Sequence, residues 1–172
     1  MKSKHFNLTQ KRLKEVINYD PDSGIFSWNR PLRRGYVYRN AGTNHPSGYI
    51  YIRVDKVKYR AHRLAWLWAY GTIPKEKIDH KNGVGTDNRI ENLRLATTSQ
   101  NGANAKFRSD NTSGFKGVVF NQKTNNWSAR ICINQKSKHI GRFDSDIEAA
   151  AMYDDAAIKA FGEFARTNVS YE

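Results

Sequence analysis

The most constraining stretch of the chain is Ile78-Asp79-His80-Lys81-Asn82-Gly83, followed by Asp87-Asn88-Arg89-Ile90-Glu91-Asn92-Leu93-Arg94 and then Thr98-Ser99-Gln100-Asn101. A carboxylate and an imidazole are adjacent, a glycine-bearing turn comes next, and two carboxamides follow at Asn92 and Asn101. The pattern predicts strand, loop, strand, helix. Asp79 and His80 close the first strand, Asn92 lies in the second strand or just before it, and Asn101 lies on the helix. Adjacent strand residues point to opposite faces, so Asp79 and His80 can share a site only where the strand ends and twists. Asp79 and the amide oxygen of Asn101 are hard oxygen ligands of the type that suits Mg²⁺ or Mn²⁺ and leaves positions for water and phosphate. His80, with an ordinary pKa of ~6.5, can take a proton from water at neutral pH. Taken singly, Asn88, Asn92 and Asn101 are equally good turn formers or caps.

The set as a whole, together with His62-Arg63-Leu64-Ala65-Trp66, resembles the HNH endonuclease family in its phage and intron-encoded homing form. The resemblance covers about residues 55–105. It implies a ββα-metal fold, duplex DNA as partner, and hydrolysis of a phosphodiester to 5′-phosphate and 3′-hydroxyl ends. It implies His80 as the general base, Asp79 and Asn101 as ligands of one divalent metal ion (Mg²⁺, with Mn²⁺ as the other choice, and no zinc), and Asn92 as the residue that fixes the loop and orients His80. The third letter of the motif is Asn101 here, not histidine. The resemblance points to a monomer, with a dimer required only if both strands are cut, working inside a cell such as a phage-infected bacterium. A DNA-binding regulator with a vestigial nuclease site is the competing reading. An RNA-binding or protein-interaction module is a further one.

The formal net charge of +13 and pI near 9.9 call for a polyanionic partner. The single cysteine, Cys132, excludes an internal disulfide framework and a four-cysteine zinc site, and suits a reducing setting. No run is long and apolar enough for a membrane span, and no apolar signal core follows Met1.

Along the chain, residues 8–18 read as an amphipathic helix capped by Thr9, and 20–24 as a turn before a strand at 25–28. Residues 29–47 read as a basic loop in which Arg30, Arg33, Arg34 and Arg39 alternate with Tyr36 and Tyr38, a pattern suited to the DNA backbone. A hairpin crosses Asp55-Lys56, and a helix runs from His62 to Tyr70, ended by Gly71. His62 opens this apolar helix with no second histidine at ligand spacing, so it reads as structural. The predicted organisation is an N-terminal α/β extension (1–54), a nuclease core (55–105), a linker (106–113) and a C-terminal module (114–172), in the α+β class.

The C-terminal module predicts a small three-stranded antiparallel sheet and one helix. Its strands lie around 115–120, 127–133 and 138–143, and Ser145 caps the helix with Glu148 three residues on. The matching text (Gly114-Phe115-Lys116-Gly117-Val118, Trp127-Ser128-Ala129-Arg130-Ile131, Ile140-Gly141-Arg142-Phe143, Glu148-Ala149-Ala150) resembles the Apetala-two/ethylene-response-factor (ERF) DNA-binding domain. That family's sheet reads the major groove. By position, Lys116, Arg130 and His139 fall where that family contacts DNA, and Lys138 and Arg142 join them on the basic sheet. Acidic residues gather on the helix, so the sheet should meet the DNA and the helix should not.

Overall fold

Thr9 starts the first helix because its hydroxyl accepts the Arg12 N–H, one of the donors that a helix start leaves without a partner. The computed structural model describes residues 8–29, 40–107 and 110–169. Helix α1 spans Gln10–Val16 and is shorter than the 8–18 expected. Ile17 turns extended, at φ −138° and ψ 142°, and opens strand β1 (Ile17–Tyr19). Ile17 and Tyr19 are both buried while Asn18 is exposed, the period of a strand and not of a helix. β1 pairs antiparallel with β2 (Phe26–Trp28) across a turn at 20–24.

The chain then forms a three-stranded antiparallel sheet of β3 (Thr43–Asn44), β4 (Ile50–Val54) and β5 (Val57–Arg60), in that order. Asp55 and Lys56 both take positive φ, 46° and 67°, so the β4–β5 turn is the two-residue kind whose twist matches the flanking strands. Helix α2 (Ala61–Tyr70) packs on this sheet and ends at Gly71, whose N–H donates to Leu67 O from a left-handed conformation. Strand β6 (Lys77–His80) pairs with β7 (Leu93–Ala96), and a single 3₁₀ turn, Ile90–Asn92, precedes β7. One core joins these pieces. Leu13, Ile17, Tyr19 and Phe26 pack with Ile52, Val54, Leu64, Leu67, Ile78 and Leu93. Burial of each such side chain is worth about 1.5–3 kcal/mol.

Helix α3 (Thr98–Asn104) begins at Thr97 with a full capping box. Thr97 accepts the Gln100 N–H, and the Gln100 side chain accepts the Thr97 N–H. Strands β8 (Val118–Asn121), β9 (Asn126–Ile133) and β10 (Lys136–Phe143) form a meander with β9 in the middle, and helix α4 (Asp146–Phe161) packs on it. Ser145 caps α4 by accepting from Ile147 and Glu148. The three-strands-and-helix layout expected for this segment is present.

The chain divides into two compact units, Met1–Leu95 and Ala96–Glu172. The division falls ahead of the 106–113 stretch expected as a linker. The reason is that α3 is bonded within the second unit: Ser99 Oγ accepts the Asn134 N–H (3.0 Å), and Ala103 O accepts the Arg166 N–H (3.3 Å). No helix among the described residues is long and apolar enough to cross a membrane.

Candidate active site

The loop between β6 and β7 is built on Asn92. Its Oδ1 accepts the Asn82 N–H, and its Nδ2 donates to Asn82 Oδ1 (3.1 Å) and Asp87 O (2.9 Å). Its backbone carbonyl accepts the Lys81 N–H. Asp87 is clamped by Arg89 and by Asn82 Nδ2 (2.7 Å). Its carboxyl is held down to about 2, chiefly by the Arg89 bonds. Asn92 thus ties Lys81, Asn82 and Asp87 together.

Orientation of His80 falls to a different carboxamide. Asn88 is 1% exposed, and its Oδ1 is 3.4 Å from His80 Nε2. Its Nδ2 donates to Thr86 O, which fixes which way the amide faces. Oδ1 can only accept, so this contact calls for a proton on His80 Nε2. The carbonyl of Asn88 is itself held, by a 2.6 Å bond from Tyr19 Oη. Gly24, at φ +71°, lies so close to this loop that a Cβ there would be 2.5 Å from Arg89 N. Pro21 O accepts the Ile90 N–H. The β1–β2 hairpin is thus the seat of the loop.

His80 is 5% exposed and ends β6. The His62 ring stands edge-on to it at 5.0 Å between centroids, and the Tyr49 ring is 5.9 Å away. Burial pushes His80 below its ordinary pKa, against the opposing effects of Asn88 and Asp79, so the imidazole is a neutral base at pH 7. His62, 4% exposed, is pushed down to about 3, first by burial and then by the nearby His80 charge. Its Nδ1 is buried with no hydrogen-bond partner among the described residues. Sequence spacing gave no sign of this pairing, because α2 carries His62 to β6 through the fold.

Asp79, 6% exposed, reaches across to β7, where Arg94 Nε donates to its Oδ2 at 3.0 Å. Arg94 was part of the motif text but not assigned this contact. Asn101 lies on α3, in the second unit. Among the described residues no group of three or more His, Cys, Asp or Glu could hold a metal.

The basic residues singled out for DNA divide sharply. Arg30, Arg33, Arg34 and Arg39 lie outside the described residues. Lys116 departs from expectation: its ammonium donates to the carbonyls of Gly102, Ala103 and Ala105 at the C-terminus of α3. Its three protons are spent on a helix end. Burial lowers its pKa to about 8. Lys138 departs too. It pairs with Ile131, whose side chain packs with Tyr153 and Ala157 of α4, so Lys138 belongs to the helix side of the sheet. Arg130 and His139 are cross-strand partners on the other face, and Arg142 joins them after a bulge between His139 and Gly141. These three, with Ser128 and Lys123, line a concavity of about 540 Å³.

A family model described as HNH endonuclease matches residues 59–103. The chain is 33% identical over 108 residues to "Protein 3.8" of Escherichia phage T7, covering 62% of this chain and 88% of that protein. It is 34% identical over 140 residues to "Uncharacterized HNH endonuclease L560" of Acanthamoeba polyphaga mimivirus, covering 80% of this chain and 70% of that protein. With Asp79, His80 and Asn92 gathered at one loop inside the matched segment, the chain belongs to the HNH endonuclease family.

Proposed function

We propose that the chain is a metal-dependent endonuclease of the homing type that hydrolyses phosphodiester bonds in duplex DNA. The observation that carries this reading is the buried His80, which burial holds below its ordinary pKa and which faces Asn88 Oδ1. A base in that state can take a proton from a water that attacks phosphorus in line. The attacking oxygen becomes part of a 5′-phosphate, and the departing oxygen leaves as a 3′-hydroxyl.

The donor chemistry fits a hard divalent cation. Asp79 offers a carboxylate oxygen in the first unit and Asn101 a carboxamide oxygen in the second, each a hard donor of the type that suits Mg²⁺ or Mn²⁺ and not zinc. Such an ion, when bound, neutralises charge on the scissile phosphate and the departing oxygen. The arginine on Asp79 lowers the net charge presented to a cation, and it favours a second reading, a DNA-binding regulator with a decayed site. In the second unit, the face bearing Arg130, His139 and Arg142 supports an ERF-like sheet that selects the DNA site.

The test is nicking of supercoiled plasmid with Mg²⁺ or Mn²⁺, with duplex binding measured in EDTA. His80→Ala should bind as wild type does and cut ~10²–10⁴ times more slowly. Asn88→Ala should bind normally and cut at least about tenfold more slowly. In ¹⁵N-histidine spectra, wild type should show His80 mainly in the Nε2-protonated form, and Asn88→Ala should lose that preference. Tight binding with no cutting by wild type under either ion would leave the regulator reading standing.

A further inference from the structure

The outward face of the β3–β4–β5 sheet carries a chain of cations set on aromatic rings. Ile52 and Val54 are each 1% exposed and face the core, so Tyr51, Arg53, Lys58 and Arg60 face out. The register places Arg60 opposite Tyr51 and Lys58 opposite Arg53. Lys58 Nζ stands 4.4 Å over the Tyr51 ring, and Arg60 Nε donates to Tyr51 Oη at 3.2 Å. The Arg60 guanidinium also covers the Tyr49 ring at 4.9 Å. His45 adds a ring 5.0 Å from Tyr51.

Two observations say what this face meets. No strand residue of the sheet is acidic, and Asp55 at the hairpin tip is taken by Arg12 at 2.8 Å. Among the described residues no ion pair takes Arg53, Lys58 or Arg60, so the positive charge on the face is left for a partner. The stripe also runs into the active site. Tyr49, under Arg60, is in ring contact with both His62 and His80. Gly85 of the catalytic loop packs so closely on this strand entry that a Cβ there would be 2.4 Å from Gly48 O. Cations already ordered on rings lose little side-chain freedom when they bind, and guanidinium forks match phosphate oxygens.

We propose that this face is a track for the DNA backbone, in which Arg53, Lys58 and Arg60 contact phosphates of the strand led to His80. The proposal rests on the nuclease reading for its substrate. It is tested by binding of His80→Ala to duplex DNA in EDTA across a salt series, with and without Arg53→Gln, Lys58→Gln and Arg60→Gln. Each lost phosphate contact lowers the slope of log K against log salt by about 0.9, so the slope should fall by about 2.7. In the wild-type background the triple variant should cut poorly when protein is limiting. The pair Arg53→Gln and Lys58→Gln, remote from Tyr49, should lower the slope by about 1.8 and serves if the triple variant does not fold. Unchanged slope and affinity in a folded variant, with wild type still cutting, would overturn the track and leave the nuclease reading intact. A lowered slope with no cutting by wild type would do the reverse.

Discussion

Each unit buries a network of polar side chains, and the two are finished differently. In the second unit the network closes. Asp154, 0% exposed, accepts from Asn168 N and Val169 N. Asn168 exchanges bonds with the Lys116 backbone in both directions, and Lys116 caps α3. In the first unit the loop network also closes around Asn92. Next to it, however, stand a buried His62 with an unanswered nitrogen and a His80 kept neutral by burial. A closed network is a staple that fixes chain segments. One with a buried polar atom left over gives up stability at that atom.

The largest expected effect comes from opening the closed network. Asp154→Ala leaves buried backbone N–H groups without their acceptor and should cost about 3 kcal/mol in urea unfolding. Nicking per folded molecule should persist. Loss of nicking in a folded variant would show that the second network serves the chemistry as well.

The open network should show itself through pH. His62 titrates near 3 when folded and near ~6.5 when unfolded, so the unfolded chain binds a proton that the folded chain refuses. The stability from keeping His62 neutral is whole above about pH 6.5 and declines as pH falls toward 3. The decline is at most about 1.4 kcal/mol per pH unit, or about 2 kcal/mol between pH 6.5 and 5. Thermal unfolding of His62→Phe should show a shallower acid slope than wild type. Equal slopes would mean that His62 is reached by water in the folded protein.

The smallest effects separate the two basic groups of the second unit. Lys116→Met should cost about 1 kcal/mol of stability and leave the salt dependence of DNA binding alone. Arg130→Gln should do the opposite, lowering the slope by about 0.9 with stability unchanged. A matching drop in slope for Lys116→Met would make it a DNA contact after all.

Local chemistry was readable in the sequence. Thr9, Gly71, Ser145 and the Asp55-Lys56 turn act on atoms within a few residues of themselves, and each stands where expected. Asp79 and His80 end strand β6, as expected. The sequence pointed to Asn92 as the partner of the imidazole, whereas Asn88 faces it, because which carboxamide meets the ring depends on the path of the loop between them. The expected helix end at 18 failed because Ile17 and Tyr19 find a strand partner in β2. Lys116 looked like a surface cation, yet its acceptors are carbonyls at the C-terminal end of α3. For Lys138, the β9–β10 register and its bulge decide which side it takes.

The seat of the β6–β7 loop on the β1–β2 hairpin limits how portable the matched HNH motif is. Residues 59–103 contain Asp79, His80, Asn88 and Asn92, but not Tyr19, Pro21 or Gly24, which hold that loop in place. They also lack Leu13, Ile17 and Phe26, which complete the hydrophobic core beneath it. Transplanted alone into another protein, the motif would carry its reactive groups without the cradle that aligns them. Any host that shuffled it productively would have to supply an N-terminal hairpin of equivalent shape.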